Sequence, residues 1–225
     1  MAACGGREFQ PTGADPTGVA ETIDLFAGIP QNGVVLGDPS APVTLTEFID
    51  LQCPYCRRFA LEVLPSIIQR HVRAGQVKIV FRNLAFLGPD SKEAAQMTAA
   101  VGLQDHLWQF ADLFLRNQGE ENAGYVTDDF LRRLAAALPG VDVHRALNDR
   151  DAPAVARQLE DAEREAERFG IQSTPSFLLG KTGETPHVLA VSSLTPEPFT
   201  RAIDALLPAS FRERGFDPTS GAATP

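Results

Sequence analysis

The strongest constraint on the fold is a strand, a helix and a second strand between residues 43 and 81. The odd positions of Val43–Ile49 are apolar except for Glu47, which is the alternation of a half-buried strand. Apolar residues then recur at helical spacing from 59 to 72, with Pro65 expected to kink the helix. A second strand follows at 76–81. A helical crossover of this length predicts a parallel βαβ unit.

Glu47 is the exception in the first strand. Strand alternation places its side chain on the buried face, between Leu45 and Ile49. A buried carboxylate is costly unless it has a partner or a chemical task. We therefore expect Glu47 to be a functional residue.

The rest of the chain completes an α/β fold. Residues 91–169 have a helical pattern, strands are predicted at 176–179 and 187–191, and a closing helix at 195–206. In the inserted helices Trp108 and Phe110 are expected in the core, whereas His71 on the first helix is expected at the surface. The element order is β-α-β, a helical block, then β-β-α. The predicted divisions are an extended lead-in (1–36) that docks a turn of helix near Leu25, an N-terminal part (37–88), a helical subdomain (89–169), a C-terminal part (170–207) and a tail (208–225).

Composition narrows the function. The chain has 225 residues, 44% of them hydrophobic, and a formal net charge of -9, which argues against a nucleic-acid partner. It has three cysteines, Cys4, Cys53 and Cys56. A disulfide-stapled scaffold would use more, so the close pair is interpreted as chemical rather than structural.

The motif Cys53-Pro54-Tyr55-Cys56 lies where the first strand meets the first helix. The free N–H groups and the dipole of a helix N-terminus stabilise a thiolate and lower its pKa. Pro54 suits the first helical position. Cys56 is within reach of Cys53, so that Cys53 exchanges with a substrate sulfur and Cys56 resolves the mixed disulfide. The rival reading is half of a zinc site, but the four histidines are scattered and no metal is predicted.

Three segments resemble the DsbA-like branch of the thioredoxin superfamily. They are residues 37–56, Leu107-Trp108-Gln109-Phe110, and residues 169–177 with Thr174-Pro175. The resemblance implies a thioredoxin fold with an inserted helical subdomain and a redox-active disulfide without a further cofactor. It also implies catalytic roles for Cys53 and Cys56, and proton transfer by Glu47. Some relatives have a basic residue near this acid, and Arg82 is the candidate for that position here. Its expected substrate-facing residues are Pro54, Tyr55, Thr174 and Pro175, the last with a cis peptide bond.

Two departures from the family pattern bear on the direction of the reaction. The residues between the cysteines are Pro-Tyr rather than the Pro-His of strong oxidases, and Ser173 stands where many relatives have glycine. The first expectation is still a disulfide oxidase, a monomer acting on cysteine-containing extracytoplasmic proteins and reoxidised by a membrane partner. The alternatives are a reductase or isomerase with the same pair, and a non-enzymatic metal-delivery or assembly module. Only Met1 and Met97 are present, which counts against copper delivery.

The N-terminus suggests a location in the periplasm or cell envelope. No stretch approaches the length of a transmembrane helix and no intact signal peptide is visible. Ala2-Ala3-Cys4 followed by two glycines resembles the end of a bacterial lipoprotein signal, which would make Cys4 a lipidation site. The alternative is an ordinary cysteine in a tail.

Overall fold

The computed structural model describes residues 15–212, so Cys4 and the end of the predicted tail lie outside the described residues. The centre of the fold is strand β3 (Val43–Ile49), which pairs in parallel with β4 (Val77–Asn83) and antiparallel with β5 (Ser176–Lys181). Both faces of β3 are largely buried because helices cover the sheet. The predicted parallel βαβ unit and the α/β fold class are confirmed.

The helix between β3 and β4 is continuous but irregular. It comprises α2 (Pro54–Arg58), a π-helical segment (Phe59–Val63), α3 (Leu64–Ile67) and a second π-helical segment (Ile68–Val72). The irregularity surrounds Pro65, which has no N–H to donate. Each π-helical turn inserts one extra residue and rotates the following side chains about the axis. His71 lies on the same helix face as the buried Leu64, Ile67 and Ile68 and is itself buried. Its Nδ1 is 2.8 Å from Oε1 of Gln76, and the prediction of a surface position was wrong.

The N-terminal segment contains more structure than an extended lead-in with one helical turn. It forms α1 (Val19–Phe26) and two short strands, β1 (Gln31–Asn32) and β2 (Val35–Leu36). β2 pairs antiparallel with β4 and extends the sheet to the order β1-β2-β4-β3-β5-β6, where β6 is His187–Val188. Two-residue strands show no alternation in a sequence, so only the pairing with β4 reveals them.

The helical block lies between β4 and β5. Its helices are α4 (Pro89–Gly102), α5 (Leu107–Arg116), α6 (Asp128–Ala136), α7 (Val143–Asp149) and α8 (Pro153–Phe169). Trp108 and Phe110 are buried in its core, as predicted. Gly170, in the left-handed region with φ 66°, ends α8 and turns the chain towards β5. The chain closes with α9 (Pro196–Leu206) and α10 (Ala209–Arg212).

Three buried phenylalanines join the helix between β3 and β4, the sheet and α9. The ring centroid of Phe177 on β5 lies 4.6 Å from that of Phe59 and 4.8 Å from that of Phe199 on α9. Such aromatic contacts add to the free energy gained from apolar burial. This cluster fixes the helix between β3 and β4, and with it the start of α2, against β5.

We expect Phe199→Ala to lower the free energy of unfolding by about 3–5 kcal/mol, because it leaves a cavity in this cluster. Chemical denaturation measures the change. Arg201→Ala, an exposed position on the same helix, is the control and should change stability by less than about 0.5 kcal/mol. Equal losses in the two variants would contradict the packing described for α9.

Candidate active site

Cys53 and Cys56 are both free thiols at the N-terminus of α2. Cys53 is the N-cap residue, with extended backbone angles of φ -71° and ψ 122°, and Pro54 occupies the first turn as predicted. Cys53 is 5% exposed and Cys56 is fully buried. Only the first sulfur can therefore be approached from solvent.

The surroundings of Cys53 favour its thiolate. The pKa of Cys53 is lowered from 9.0 to about 6, chiefly by a hydrogen bond from the Cys56 thiol, against the opposing effect of burial. The backbone N–H groups of Cys56 and Tyr55 contribute further hydrogen bonds. These N–H groups are the free donors of a helix N-terminus. The thiolate is therefore the favoured form of Cys53 at neutral pH.

Cys56 has the opposite tendency. Burial, together with its hydrogen bond to Cys53 and the nearby Cys53 charge, raises the pKa of the Cys56 thiol well above 9.0. The pair therefore consists of an accessible thiolate and a buried thiol that donates to it. That asymmetry suits thiol–disulfide exchange, in which one sulfur attacks and the other stays protonated until needed.

The loop before β5 covers the pair. The Thr174–Pro175 peptide bond is cis, and Cys53 Sγ lies 3.3 Å from the carbonyl oxygen of Thr174. The Ser176 hydroxyl donates to the carbonyl of Ser173 at 2.7 Å, within the same turn. Although 121 residues separate Cys53 from Thr174 in the chain, the antiparallel pairing of β3 with β5 brings them together.

Glu47 lies on the buried face of β3, as strand alternation predicted. It is 2% exposed, and burial raises its pKa from 4.5 to about 8. Arg82 is not its partner. In the β3–β4 register Arg82 is opposite Phe48 and so lies on the other face of the sheet, where its Nε donates to Glu165 at 2.5 Å.

Asp50 is a structural part of the site that the sequence analysis missed. Its Oδ1 accepts hydrogen bonds from the Gln52 N–H at 2.9 Å and the Ser91 hydroxyl at 2.7 Å. Its Oδ2 accepts from the N–H groups of Phe86 and Leu87 at 3.0 and 3.1 Å. This carboxylate joins the loop before Cys53 to the loop after β4. An aspartate at the end of a buried strand was the available signal.

The helical block also holds the loop before Cys53. Nε2 of Gln118 donates to the carbonyl oxygens of Leu51 and Cys53 at 2.7 and 3.1 Å. Nε of Arg57 on α2 donates to the carbonyl of Leu115 at 3.0 Å. Gln118 gives no signal in the sequence, because its partners are backbone atoms more than 60 residues away.

Two aromatic side chains near the site are exposed. Tyr55, between the cysteines, is 63% exposed, and Phe86, whose N–H donates to Asp50, is 50% exposed.

Within residues 15–212 no group of three or more His, Cys, Asp or Glu side chains could hold a metal ion. No helix in that range is long and apolar enough to cross a membrane.

An asymmetric dithiol at a helix N-terminus, facing a cis-proline loop on a thioredoxin fold, defines a thiol–disulfide oxidoreductase. A family model described as thioredoxin matches residues 30–205. The probable disulfide bond formation protein D of Bacillus cereus is 31% identical over 156 residues, or 68% of this chain and 71% of that protein. Disulfide bond formation protein D of Bacillus subtilis is 31% identical over 158 residues, with the same coverage.

The solved structures agree with the sequence matches. Oxidised BdbD from Bacillus subtilis superposes with a TM-score of 0.67 at 25% identity, covering 85% of this chain and 95% of that one. The chain belongs to the thioredoxin family and is a DsbA-like protein disulfide oxidoreductase. The fold and enzyme class expected from the sequence are confirmed.

We expect the ultraviolet absorbance of the thiolate to titrate with a midpoint near pH 6 in the reduced protein. Cys56→Ser keeps a hydrogen-bond donor at position 56 and should leave the midpoint nearly unchanged. Cys56→Ala removes the donor and should raise the midpoint towards 9.0. Identical midpoints in the two variants would contradict the role given to the Cys56 thiol.

Glu47→Gln should make stability depend less on pH. Because the folded-state pKa of Glu47 is raised, the wild-type protein loses stability as pH rises from 4.5 to about 8. A shift of this size corresponds to about 5 kcal/mol. Denaturation at a series of pH values should show the variant gaining stability relative to wild type across this window and no further above it. A constant difference from pH 5 to pH 9 would contradict the burial of an ionisable Glu47.

Proposed function

We propose that this protein is a disulfide oxidase, in which Cys53 and Cys56 cycle between a disulfide and the dithiol described above. The observation that carries the proposal is the contrast between the two thiols. A stabilised Cys53 thiolate lowers the free energy of the reduced state and so makes the disulfide a better oxidant. The names of the Bacillus relatives, disulfide bond formation protein D, support the same direction.

The roles of the residues follow from their accessibility. A substrate thiolate attacks Cys53 Sγ, the Cys53–Cys56 bond breaks, and Cys56 takes the electron pair and a proton supplied by Glu47. A second substrate thiolate then attacks the substrate sulfur of the mixed disulfide. Cys53 leaves as the thiolate that the helix N-terminus stabilises, and the substrate departs with a new disulfide.

The size of the effect can be stated. At neutral pH a Cys53 pKa of about 6 instead of 9.0 favours the reduced state about tenfold, which is about 30 mV in the potential of a two-electron couple. Thioredoxin, whose nucleophilic cysteine has a pKa of about 7, has a potential of about -270 mV. Relative to the thioredoxin cysteine, a pKa of about 6 favours the reduced state about fivefold, or about 20 mV. We therefore expect a potential more positive than -270 mV, even with Pro-Tyr between the cysteines.

Protein substrates would bind beside the cysteines. The backbone of Thr174 and Pro175 faces Cys53 and is suited to pair with an extended substrate segment as an added strand. The exposed ring of Tyr55 and the adjoining Pro54 offer an apolar surface on the other side, and the exposed Phe86 offers another. Recognition of backbone and apolar surface would let the enzyme accept many unfolded chains.

We also infer where the protein acts and how it is held there. The substrates are exported proteins in the periplasm or cell envelope, where disulfides persist, and a membrane redox partner reoxidises the Cys pair. Cys4 is the proposed lipid attachment site. Mass spectrometry of the protein isolated from its native membrane should show an N-terminal lipidated Cys4, and an unmodified cysteine there would refute anchoring at this residue.

The decisive test combines the reduction potential with oxidative refolding of a reduced, unfolded protein. We expect a potential more positive than -270 mV and faster refolding with catalytic amounts of enzyme. Cys53→Ser should abolish turnover, because it removes the accessible sulfur. Cys56→Ser cannot form the Cys53–Cys56 disulfide and should not oxidise substrates. When its Cys53 thiolate attacks a substrate disulfide, the mixed disulfide should accumulate, because Cys56 is not there to release Cys53. A potential at or below that of thioredoxin, with rapid reduction of substrate disulfides, would favour a reductase instead.

A further inference from the structure

A small internal cavity lies beside Glu47, on the side of the sheet that faces α5 and the helix between β3 and β4. Its volume is about 10 Å³, which is enough for one water molecule. Apolar side chains form most of the wall, and Glu47 and Asp112 are the titratable residues in it. Phe59 and Ala60 also line it, three and four residues after Cys56 and therefore on the same face of the helix.

Three buried polar atoms belong to the residues that line this cavity. Glu47 Oε2, Trp108 Nε1 and Asp112 Oδ1 make no hydrogen bond to any described residue. The three side chains are 1–3% exposed. An indole N–H and two carboxyl oxygens are the donor and acceptors that hold a buried water, which typically makes about three hydrogen bonds.

The second oxygen of Asp112, Oδ2, is bonded to two residues that do not line the cavity. Oδ2 accepts a hydrogen bond from the Thr22 hydroxyl on α1 at 2.5 Å and from Nε of Arg116 at 2.7 Å. The Arg116 side chain is 21% exposed, so Asp112 is bonded to a group that reaches solvent. Arg116 is the charged group that faces Asp112, and Asp112 is the titratable group that shares the cavity with Glu47.

We propose that Asp112 is a second proton carrier, which exchanges protons with Glu47 through a water bound in this cavity and so connects Cys56 to solvent. This inference rests on the proposed function of Glu47. When the Cys53–Cys56 bond breaks, Cys56 takes the proton of the Glu47 carboxyl group. Glu47 recovers a proton from the water, the water takes one from Asp112, and solvent reprotonates Asp112. One proton moves inward for each disulfide opened, and Asp112 acts only through Glu47.

Burial raises the pKa of Asp112, against the lowering effects of Thr22 and Arg116. A raised pKa keeps a larger fraction of the carboxyl group protonated at a given pH, which a proton donor requires. The position of Asp112 on α5 is also unusual for a charged residue. It shares the apolar stripe of Trp108, Ala111 and Leu115, where a residue with a purely solvent-facing role would not occur.

The test uses Glu47→Gln, Asp112→Asn and the double variant in the oxidised full-length protein. The measurement is the rate of disulfide transfer to a dithiol peptide as a function of pH. We expect Asp112→Asn to slow transfer on the order of tenfold near neutral pH and to flatten the pH profile. The double variant should be no slower than Glu47→Gln, because the two residues act in series.

Asp129→Asn is the matched control. Asp129 on α6 pairs with Arg133 at i,i+4, as Asp112 pairs with Arg116, but it does not line the cavity. Its substitution should leave the rate and its pH profile unchanged. An equal loss in this control, or effects that multiply in the double variant, would overturn the inference.

The outcomes separate the two proposals. If Glu47→Gln transfers disulfides at the wild-type rate, the proton-transfer role in the proposed function fails. If Glu47→Gln is slow and Asp112→Asn is not, the proposed function stands and Asp112 is not a carrier. Trp108, the only tryptophan in the chain, should report the protonation of the cavity in its fluorescence. Its pH transition should shift in Asp112→Asn and not in the control.

A measurement on the wild-type protein keeps the inference testable if Asp112→Asn does not fold. The infrared difference between oxidised and reduced protein should contain signals from two buried carboxyl groups, of which Glu47→Gln removes one. A single carboxyl signal in the wild-type protein, lost in Glu47→Gln, would overturn the role of Asp112.

Discussion

The hydrogen bonds that converge on Cys53 Sγ are the interaction around which the site is built. They come from the Cys56 thiol and from N–H groups in the first turn of α2. The site has three structural requirements. A helix must begin at Pro54, the Cys56 thiol must be buried behind Cys53, and the distant loop of Thr174 must cover both cysteines. The fold supplies all three by placing β3 between β4 and β5.

Burial has opposite uses at the two ends of this arrangement. At Cys53 the hydrogen bonds outweigh burial and the thiolate is favoured, whereas at Cys56 and Glu47 burial dominates and the neutral forms are favoured. A raised pKa keeps the carboxyl group of Glu47 protonated and so able to donate a proton to the Cys56 sulfur in the proposed mechanism. The same burial destabilises the folded protein at high pH, which is a typical cost of a functional site.

The inserted helices serve the site as well as the core. Gln118 and Arg57 connect the helical block to the loop before Cys53 and to α2 through backbone carbonyls. Asp112 and Trp108 on α5 face the cavity beside Glu47. The insertion therefore contributes to the geometry of the Cys53 loop and to the polar surroundings of Glu47, in addition to providing apolar packing.

The sequence alone determined the local chemistry: the bounds of β3, the N-terminal placement of the Cys pair and the burial of Glu47 follow from alternation and helix-terminus rules. The resemblance of residues 169–177 to a known family added the cis-proline loop. Only the tertiary structure decided which groups meet. Arg82 lies on the wrong face because of strand register, His71 is buried on the apolar face of its helix, and β2 exists through its pairing with β4. Asp50, Gln118 and Asp112 act through partners far away in the chain, and no local pattern encodes such contacts.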